Sequence, residues 1–454
     1  MSNKYIKNKL SRREAISTAV AVGGIVGVGL IAGIGGYLLG TSVAVPAQTV
    51  TQTTTITAAA QTVTQTLTQP TTVTQIVEEK TKEYKIGMIT PLSGVLSEFG
   101  AEQRDAGLLA IDEMNEYLRQ WGSNVSFKLI VIDDKATPEE ALKAATILRE
   151  THGVQVIIGP PTSGSVLAIK SYVDANNIAV ISSTSSSAAL SVKDNIFRMW
   201  ASDRLQGRAM ADLAMKLGVE NAVVVYRDDP YGKGVHDIFL ENFKGKSKSI
   251  RITPGQPDYA SEVAAMKRAA EEFGLNEKTG LVLVIWEMEW VNFLSHVVSE
   301  HPELVKVKWI GSDAITNPGI LPPKSTEEFA EFLMSVRAVG TTAHFTANPL
   351  GTMVLEHLRE KRGGTPSIEA LYMYDAAYVA MYSILISGKY DGKTLVSVIP
   401  FIAARYNGAS GPKTLDEVGD LAEQDYDIVT LEKTPEGYKW RSIGIWSPKT
   451  GITL

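Results

Sequence analysis

The sequence contains no cysteine among its 454 residues. This absence excludes disulfide bonds, thiolate metal sites, a cysteine nucleophile and a cysteine-linked lipid anchor. An excess of positive charge is also missing, because 44 lysine and arginine residues against 50 aspartate and glutamate residues give a net charge of −6. A nucleic-acid-binding protein would carry a basic stripe, so we do not expect nucleic acid as a partner.

Recognisable catalytic motifs are missing as well. We find no nucleophile elbow, no His-Glu-x-x-His zinc motif and no phosphate-binding loop. The six histidines are scattered, and His296 and His301 are one residue too far apart to share a helix face as a metal pair. The sequence therefore predicts a protein that is not an enzyme and uses no cofactor or metal. An enzyme on an α/β scaffold is the alternative, which turnover of an amino acid or amide would support.

Residues 1–40 have the pattern of an export signal or a membrane anchor. Five basic residues precede any acidic one: Lys4, Lys7, Lys9, Arg12 and Arg13. An uncharged run from Ala15 to Leu39 is long enough to cross a bilayer, and the positive-inside rule leaves the following chain outside the cytoplasm. Ser11-Arg12-Arg13 resembles part of a twin-arginine export signal. Cleavage after Ala44 would release the chain, whereas the uncleaved segment would hold it at the outer face of the cytoplasmic membrane.

Residues 41–83 are rich in threonine and glutamine. They carry no charge before Glu78, and the sequence of Gln48–Thr53 recurs at Gln61–Thr66. Such a segment cannot bury enough apolar surface to fold alone. It is predicted to be a disordered stalk, O-glycosylated outside the cell. A β-rich stalk formed by self-association is the alternative.

From residue 84 onward, apolar strand patterns alternate with amphipathic helical patterns. In the unit Val154–Ser187, the apolar runs Val154–Ile158 and Ile178–Ile181 flank a helical pattern at Ser165–Ala175. A strand–helix–strand unit places its two strands parallel and side by side. Repetition of this pattern predicts an α/β fold with parallel sheets covered by helices on both faces. The number of strands indicates two lobes.

Both strands of that unit lead into loops of small hydroxyl residues, at 162–165 and 182–187. In open α/β sheets, ligands bind beyond the carboxyl ends of the strands. Each loop also opens a helix, whose free backbone N–H groups and dipole attract an anion. A carboxylate is the simplest such ligand. The alternative is that these serines only cap helices.

Several short motifs, taken in order, resemble the leucine/isoleucine/valine-binding proteins, which are extracytoplasmic substrate-binding subunits of ABC importers. The motifs are Lys85–Gly94 with Phe99-Gly100, Ile132–Asp134, Ile158–Pro160 with Ser163, Ile181–Ser186, Tyr231-Gly232, Gly311–Asp313 and Gly411–Asp420. The resemblance covers about residues 84–446 and implies two doubly wound parallel-sheet lobes. A hinge of three crossings joins such lobes, and the ligand binds in the cleft between them.

The resemblance also implies where the chain crosses between lobes. We expect crossings near Asp203, Val339 and Gly419. The N-terminal lobe would then comprise residues 84–203 and 339–418, and the C-terminal lobe residues 204–338 and 419–454. Asp203 itself is expected to cap the helix that follows the first crossing.

The resemblance implies a site for an amino acid. Ser163 and Ser186 match hydroxyls that hold the α-carboxylate, and Ser185 lies in the same loop. Thr184 matches a position whose backbone oxygen helps to bind the α-ammonium, and Asp313 matches the acidic residue that pairs with it. Hydroxyls facing the negative group and a carboxylate facing the positive one agree with this assignment. From the residues alone, Asp313 would be a helix cap.

Four more residues are expected around the ligand. Tyr231 matches an aromatic side chain that closes over the ligand from the second lobe, and Phe99 matches a wall near its side chain. Trp286 and Glu287 stand where the branched-chain binders have small and tyrosine residues. They therefore change the side-chain pocket, which argues for a related zwitterion over leucine itself.

Together these features predict an extracytoplasmic solute-binding protein of an ABC importer. It would capture an amino acid, branched-chain-like or a related zwitterion, by lobe closure and deliver it to a membrane permease. A binder of amides, urea or another small solute, or a sensory ectodomain of the same fold, is the alternative. The binding domain is expected to be monomeric and tethered to the membrane through residues 1–40.

Overall fold

The computed structural model of the protein describes residues 52–58, 61–67, 81–364 and 366–454. The predicted export signal or anchor at residues 1–40 lies outside the described residues. Among the residues that are described, no helix has the length and apolar character needed to cross a membrane.

Two strands lie in the segment predicted to be a disordered stalk. β1 (Gln52–Ala58) and β2 (Gln61–Leu67) pair antiparallel, with Gln52 opposite Leu67. The expectation of disorder is therefore wrong for these two stretches. The physical reason is their density of β-branched threonine, isoleucine and valine, which favour extended backbone even where little apolar surface is available.

The strands of the two lobes alternate with helices along most of the chain. In chain order they are β3 (Lys82–Thr90), β4 (Val125–Asp133), β5 (Val156–Ile158), β6 (Ala179–Ser182), β7 (Ile196–Arg198), β8 (Asn221–Arg227), β9 (Lys246–Ile252), β10 (Thr279–Val284), β11 (Lys308–Gly311), β12 (Val339–Ala343), β13 (Asn407–Gly408), β14 (Gly411–Pro412), β15 (Tyr426–Thr434), β16 (Gly437–Ser447) and β17 (Gly451–Thr453). The first lobe thus begins at Lys82, two residues before the predicted boundary.

The helices are α1 (Ser97–Gln120), α2 (Pro138–Glu150), α3 (Ser163–Ala175), α4 (Asp203–Lys216), α5 (Pro230–Asn242), α6 (Ala260–Phe273), α7 (Glu287–Glu300), α8 (Glu327–Ser335), α9 (Pro349–Arg362), α10 (Glu369–Ser387) and α11 (Gly392–Ala403). Capping residues account for several starting points. Thr137 and Asp229, for example, accept backbone N–H groups of α2 and α5, and each precedes a proline that suits the first helical turn.

Each lobe is built around one sheet. The first sheet has the order β4-β3-β5-β6-β7 and is parallel throughout. The second has the order β9-β8-β10-β11-β12-β15-β16-β17, in which the first five strands are parallel and the last three join antiparallel. The predicted α/β fold with two doubly wound lobes is therefore confirmed, as is the parallel pairing of β5 with β6.

Both faces of the first sheet are buried. Val156 and Ile158 of β5 point into a core formed with α1, α10 and α11. Ile157, between them, points into the opposite core formed with α2 and α3. Burial on both faces explains why these strands appear in the sequence as unbroken apolar runs instead of alternating patterns.

The chain passes between the lobes three times, and two of these positions differ from the prediction. The first crossing connects β7 to α4 and lies near Asp203, as expected. β12 pairs with β11 and β15, so residues 339–343 belong to the second lobe and the return comes after Ala343. The Gly419 carbonyl still accepts the N–H of Arg198 in the first lobe (2.9 Å), and the third crossing leads into β15 at Tyr426. Local patterns locate a strand but do not say which sheet it joins.

Candidate functional site

Ser163 joins the two hydroxyl-rich loops of the first lobe. It is the first residue of α3, two residues earlier than the predicted start, because Thr162 caps the helix by accepting the N–H of Ser165 (3.4 Å). The Ser163 Oγ accepts the N–H groups of Ser186 (3.2 Å) and Ser187 (3.1 Å). Since these bonds occupy its lone pairs, its hydroxyl hydrogen remains a donor, as an anion would require.

The second loop is held in place by its own hydroxyl groups. Ser182 donates to the Pro160 carbonyl (2.6 Å), and Thr184 donates to the Pro161 carbonyl (3.0 Å). The Thr184 hydroxyl is therefore engaged within the first lobe. The Ser185 Oγ is buried and has no partner among the described residues. Ser185 thus adds an uncommitted hydroxyl to the loop that also contains Ser186.

Asp313 and Tyr231 form a hydrogen-bonded pair in the second lobe. Asp313 directly follows β11, and Tyr231 is in the first turn of α5. The Tyr231 hydroxyl lies 2.7 Å from Asp313 Oδ1 and 2.9 Å from the Ser312 hydroxyl, and the Ala314 N–H donates to the same Oδ1 (3.0 Å). Burial raises the pKa of Asp313, and the hydrogen bond from Tyr231 opposes this shift. No basic side chain of the described residues forms an ion pair with Asp313.

Close contacts bring the serine loops and the Tyr231–Asp313 pair to the same cleft. The Ser187 hydroxyl donates to the carbonyl of Pro230, the residue before Tyr231 (2.9 Å). The Asp203 N–H, at the first crossing, donates to the Ser186 carbonyl (2.7 Å). The lobes therefore meet where the predicted carboxylate-binding and ammonium-binding residues are located.

Trp286 forms a fixed wall beside Tyr231. Its ring centre is 6.3 Å from that of Tyr231. The guanidinium carbon of Arg227 lies over the indole, 3.6 Å from the centre of its ring. Arg227 is buried and forms ion pairs with Glu289 and with Asp229 (2.8 Å to the latter). Because both carboxylates hold the guanidinium, the cation–π contact keeps the indole in one position.

Glu287 and Phe99 lie near the rim of the cleft. The Glu287 carboxylate accepts the N–H of Gly319 (2.9 Å), so it is already engaged within the second lobe. It also borders a surface depression of about 480 Å³. Phe99 is in the first turn of α1 and half-buried, and the preceding Glu98 forms a salt bridge across the lobes to Lys324 (2.8 Å).

Three buried polar residues near Asp313 were not predicted as site residues. Asp203, Gln206 and Tyr426 are each at most 1% exposed, and their polar side-chain atoms have no partner of hydrogen-bonding geometry among the described residues. Burial raises the pKa of Asp203 well above its ordinary value, and the charge of Asp313 adds to the shift. Asp203 does not cap α4 as predicted, because Ser202 does. In the sequence, a single aspartate at the start of a helix does not indicate that its carboxylate is buried close to Asp313.

Glu369 is a further acidic residue that sequence reasoning missed. It begins α10 in the first lobe and accepts the Ser367 hydroxyl. Burial, followed by the charges of Asp313 and Glu102, raises its pKa to about 8. A Glu in the first turn ordinarily indicates only a favourable interaction with the helix dipole. No group of three or more acidic or histidine side chains in the described ranges is arranged to hold a metal ion.

Comparison with known proteins gives a family and a set of relatives. A family model described as periplasmic binding protein matches residues 83–436. An uncharacterised protein of Methanocaldococcus jannaschii is 28% identical over 404 residues, covering 84% of this chain and 94% of that protein. Leu/Ile/Val-binding protein homolog 3 of Brucella melitensis is 26% identical over 360 residues, covering 76% of this chain and 90% of that protein. These matches confirm the resemblance seen in the sequence.

Among solved structures, the chain is similar to a solute-binding protein of an ABC transporter from Rhodopseudomonas palustris in complex with 3,4-dihydroxybenzoic acid. The TM-score is 0.65 with 19% identity, and the match covers 80% of this chain and 97% of that chain. At this level of identity the likeness concerns the fold alone.

Proposed function

The chain belongs to the periplasmic binding protein family, and from that premise we propose that it captures an amino acid outside the cytoplasm and delivers it to an ABC permease. Proteins of this family bind solutes and are not enzymes, so the chain is a binding protein. The amino acid, the permease and the place of capture are the parts that we infer.

The observation that carries the proposal is the pairing of opposite chemistries across the cleft. On the first lobe, Ser163 offers a hydroxyl hydrogen and Ser185 an uncommitted hydroxyl group beside the start of α3. On the second lobe, Asp313 has no cationic partner among the described residues. A zwitterion would provide a carboxylate for the hydroxyls and an ammonium for Asp313. Such charge-assisted hydrogen bonds repay the cost of burying both groups.

Lobe closure would then depend on the ligand. A ligand shifts an equilibrium only by binding one state better than the other. An amino acid that touches Ser163 on one lobe and Asp313 on the other makes both contacts only when the lobes are together. We therefore infer a hinge motion at the three crossings, with Tyr231 and Trp286 covering the ligand from the second lobe.

An aromatic carboxylic acid is the second candidate. The structure from Rhodopseudomonas palustris contains 3,4-dihydroxybenzoic acid, and Tyr231 and Trp286 would suit an aromatic ring. Such a ligand has no ammonium group, however, and would leave Asp313 unpaired. The amino acid is therefore the better match.

A thermal-shift screen of the full chain tests this proposal. Amino acids, benzoate, urea, small carboxylates and sugars would be added singly, and binding raises the melting temperature by mass action. We expect stabilisation by at least one amino acid and loss of that response in Asp313→Asn. Stabilisation by benzoate alone would indicate that the ligand is an aromatic acid and not an amino acid. Stabilisation by sugars alone would refute the carboxylate site at Ser163.

The place of capture follows from the family and from residues 1–40. We propose that the binding lobes lie outside the cytoplasmic membrane, and that residues 1–40 either direct export or remain as the tether. Mass determination of the mature N-terminus distinguishes the two. Recovery of the full protein in the cytosolic fraction would contradict the proposal.

A further inference from the structure

We propose that the ligand carries a positively charged side chain in addition to its α-ammonium, and that Glu369 of the first lobe binds this second cation. The inference rests on the proposed function, because it assumes that an amino acid occupies the cleft. It extends that function by naming the class of amino acid, which would be cationic.

The ammonium end of the cleft has more acidic side chains than one ammonium can pair with. Asp313 is hydrogen-bonded to the Tyr231 hydroxyl (2.7 Å), and no cation of the described residues forms an ion pair with it. Asp203 is fully buried, and neither of its carboxylate oxygens has a hydrogen-bonding partner among the described residues. The amide of Gln206 is also buried and unpartnered. Buried polar groups of this kind are ordinarily satisfied, so they indicate a missing ligand.

Glu369 adds a third carboxylate, from the other lobe. α10 begins beside the cleft, because the Tyr372 ring centre in its first turns lies 4.6 Å from that of Trp200, just before the first crossing. Glu369, three residues before Tyr372, is close enough to Asp313, Glu102 and Glu287 to feel their charges. Ser367 links it to Glu102, since the Ser367 hydroxyl donates to Glu369 and its N–H donates to Glu102 (3.1 Å). Glu102 and Glu287 lie toward the Glu98–Lys324 rim. We therefore place Glu369 at the part of the cleft where a ligand side chain would extend.

The basic side chains near Glu369 are committed elsewhere. Lys361 and Arg362 form ion pairs with Asp105 (3.2 and 3.1 Å). Lys324 pairs with Glu98 (2.8 Å). Within the described residues, none of these cations forms an ion pair with Glu369.

The buried arginines beside the cleft are committed as well. Arg198 pairs with Asp420, and Arg227 pairs with Glu289 and Asp229. A neutral amino acid would bring one carboxylate and one ammonium, and would leave Glu369 without a cation. An amino acid with a second ammonium would supply that cation, which favours a diamino acid.

Isothermal titration of the full chain with L-lysine and L-norleucine tests the inference. The two ligands have the same four-carbon side chain, and L-lysine alone carries an ammonium group at its end. We expect L-lysine to bind at least tenfold more tightly. In Glu369→Gln this preference should disappear, while exposed Glu360→Gln on neighbouring α9 should retain it. If Glu369→Gln does not fold, Glu369→Asp, which keeps the charge on a shorter side chain, should retain a reduced preference.

The pH dependence provides a second measurement. Burial and neighbouring negative charge raise the pKa of Glu369 to about 8, so below that pH the ligand must displace a proton. L-lysine affinity should therefore rise between pH 6 and 8, by up to about tenfold per unit, in the natural protein and not in Glu369→Gln. L-norleucine binding as tight as L-lysine would overturn the inference and leave the proposed function intact. If no amino acid binds and benzoate does, the proposed function fails as well.

Discussion

Single residues in this protein often serve two purposes, and Ser163 is a clear case. Its oxygen accepts two backbone N–H groups of the neighbouring loop, while its hydrogen is available to a ligand. Asp313 differs, because its partly buried carboxylate has no cationic partner among the described residues. Substitutions at the two positions should therefore separate stability from binding.

Asp313→Asn should abolish ligand binding without loss of stability. Removing a buried charge that pairs with the ligand costs about 2–5 kcal/mol of affinity, which corresponds to roughly 30-fold or more. The free protein should unfold at the same or a higher urea concentration, because an uncompensated buried charge is removed. Ser163→Ala is the contrasting variant and should lower both affinity and stability. A loss of stability in Asp313→Asn similar to that in Ser163→Ala would contradict this assignment.

Lys413 should make stability depend on pH in the alkaline range. Its ammonium is buried, donates to the Ser410 carbonyl (2.9 Å) and lies 3.9 Å from Asp375. Burial lowers its pKa to about 8, against about 10.4 in an unfolded chain. Between these values the unfolded state binds more protons, so the free energy of unfolding rises with pH.

The test for Lys413 is urea denaturation at pH 8 and pH 9.5. The expected rise is at most about 1.4 kcal/mol per pH unit. Lys413→Met should be less stable overall, since Asp375 loses its cation, but should lack this rise. If the free energy of unfolding rises equally with pH in both proteins, other titrating groups cause the rise.

At the scale of helices and strands, local sequence patterns located most elements correctly. The apolar runs at β5 and β6 and the hydroxyl loops after them were predicted and are present. α1 begins at Ser97, and Leu96 before it makes no side-chain cap, so no capping residue in the sequence indicates where this helix starts. What the sequence could not indicate is which elements meet. β12 was assigned to the wrong lobe for that reason.

The candidate site shows the same limit. Ser163, Ser186, Tyr231 and Asp313 were found because motifs of known proteins contain them. Whether each of them contacts the ligand stays a prediction.

 Asp203 and Glu369 each stand at the start of a helix, where an acidic residue is ordinary. Only the packing of the two lobes brings their charges near Asp313.

The cap of α3 gives a prediction at this scale. Thr162→Ala removes the side chain that accepts the Ser165 N–H (3.4 Å), and loss of such a cap costs about 1 kcal/mol. Because α3 begins at Ser163, the ligand affinity should also fall. Thr162→Ser keeps the hydroxyl and should behave like the natural protein in both urea unfolding and ligand titration. Unchanged affinity in Thr162→Ala would show that the start of α3 does not position the ligand.

At the scale of the whole molecule, the function depends on how closely the lobes approach. Gly234 of α5 lies at this contact, because a Cβ placed there would be 2.8 Å from Asp203 Oδ2 and 3.6 Å from the Ser187 hydroxyl. A longer side chain at this position would hold the lobes apart.

Gly234→Gln should therefore prevent full closure. Small-angle X-ray scattering of the natural protein should show a smaller radius of gyration when saturating ligand is added. The variant should keep the larger radius and bind the ligand more weakly. Lys233→Gln, at the exposed neighbouring position, is the control and should close normally. Full compaction of Gly234→Gln would exclude this contact as a determinant of closure.

The shared strand order of the two sheets bears on the ancestry of the molecule. The orders β4-β3-β5-β6-β7 and β9-β8-β10-β11-β12 correspond position by position, and all ten strands are parallel within their own sheet. Tandem copying of one ancestral half accounts for this correspondence. The antiparallel strands β15, β16 and β17 have no counterpart in the first sheet.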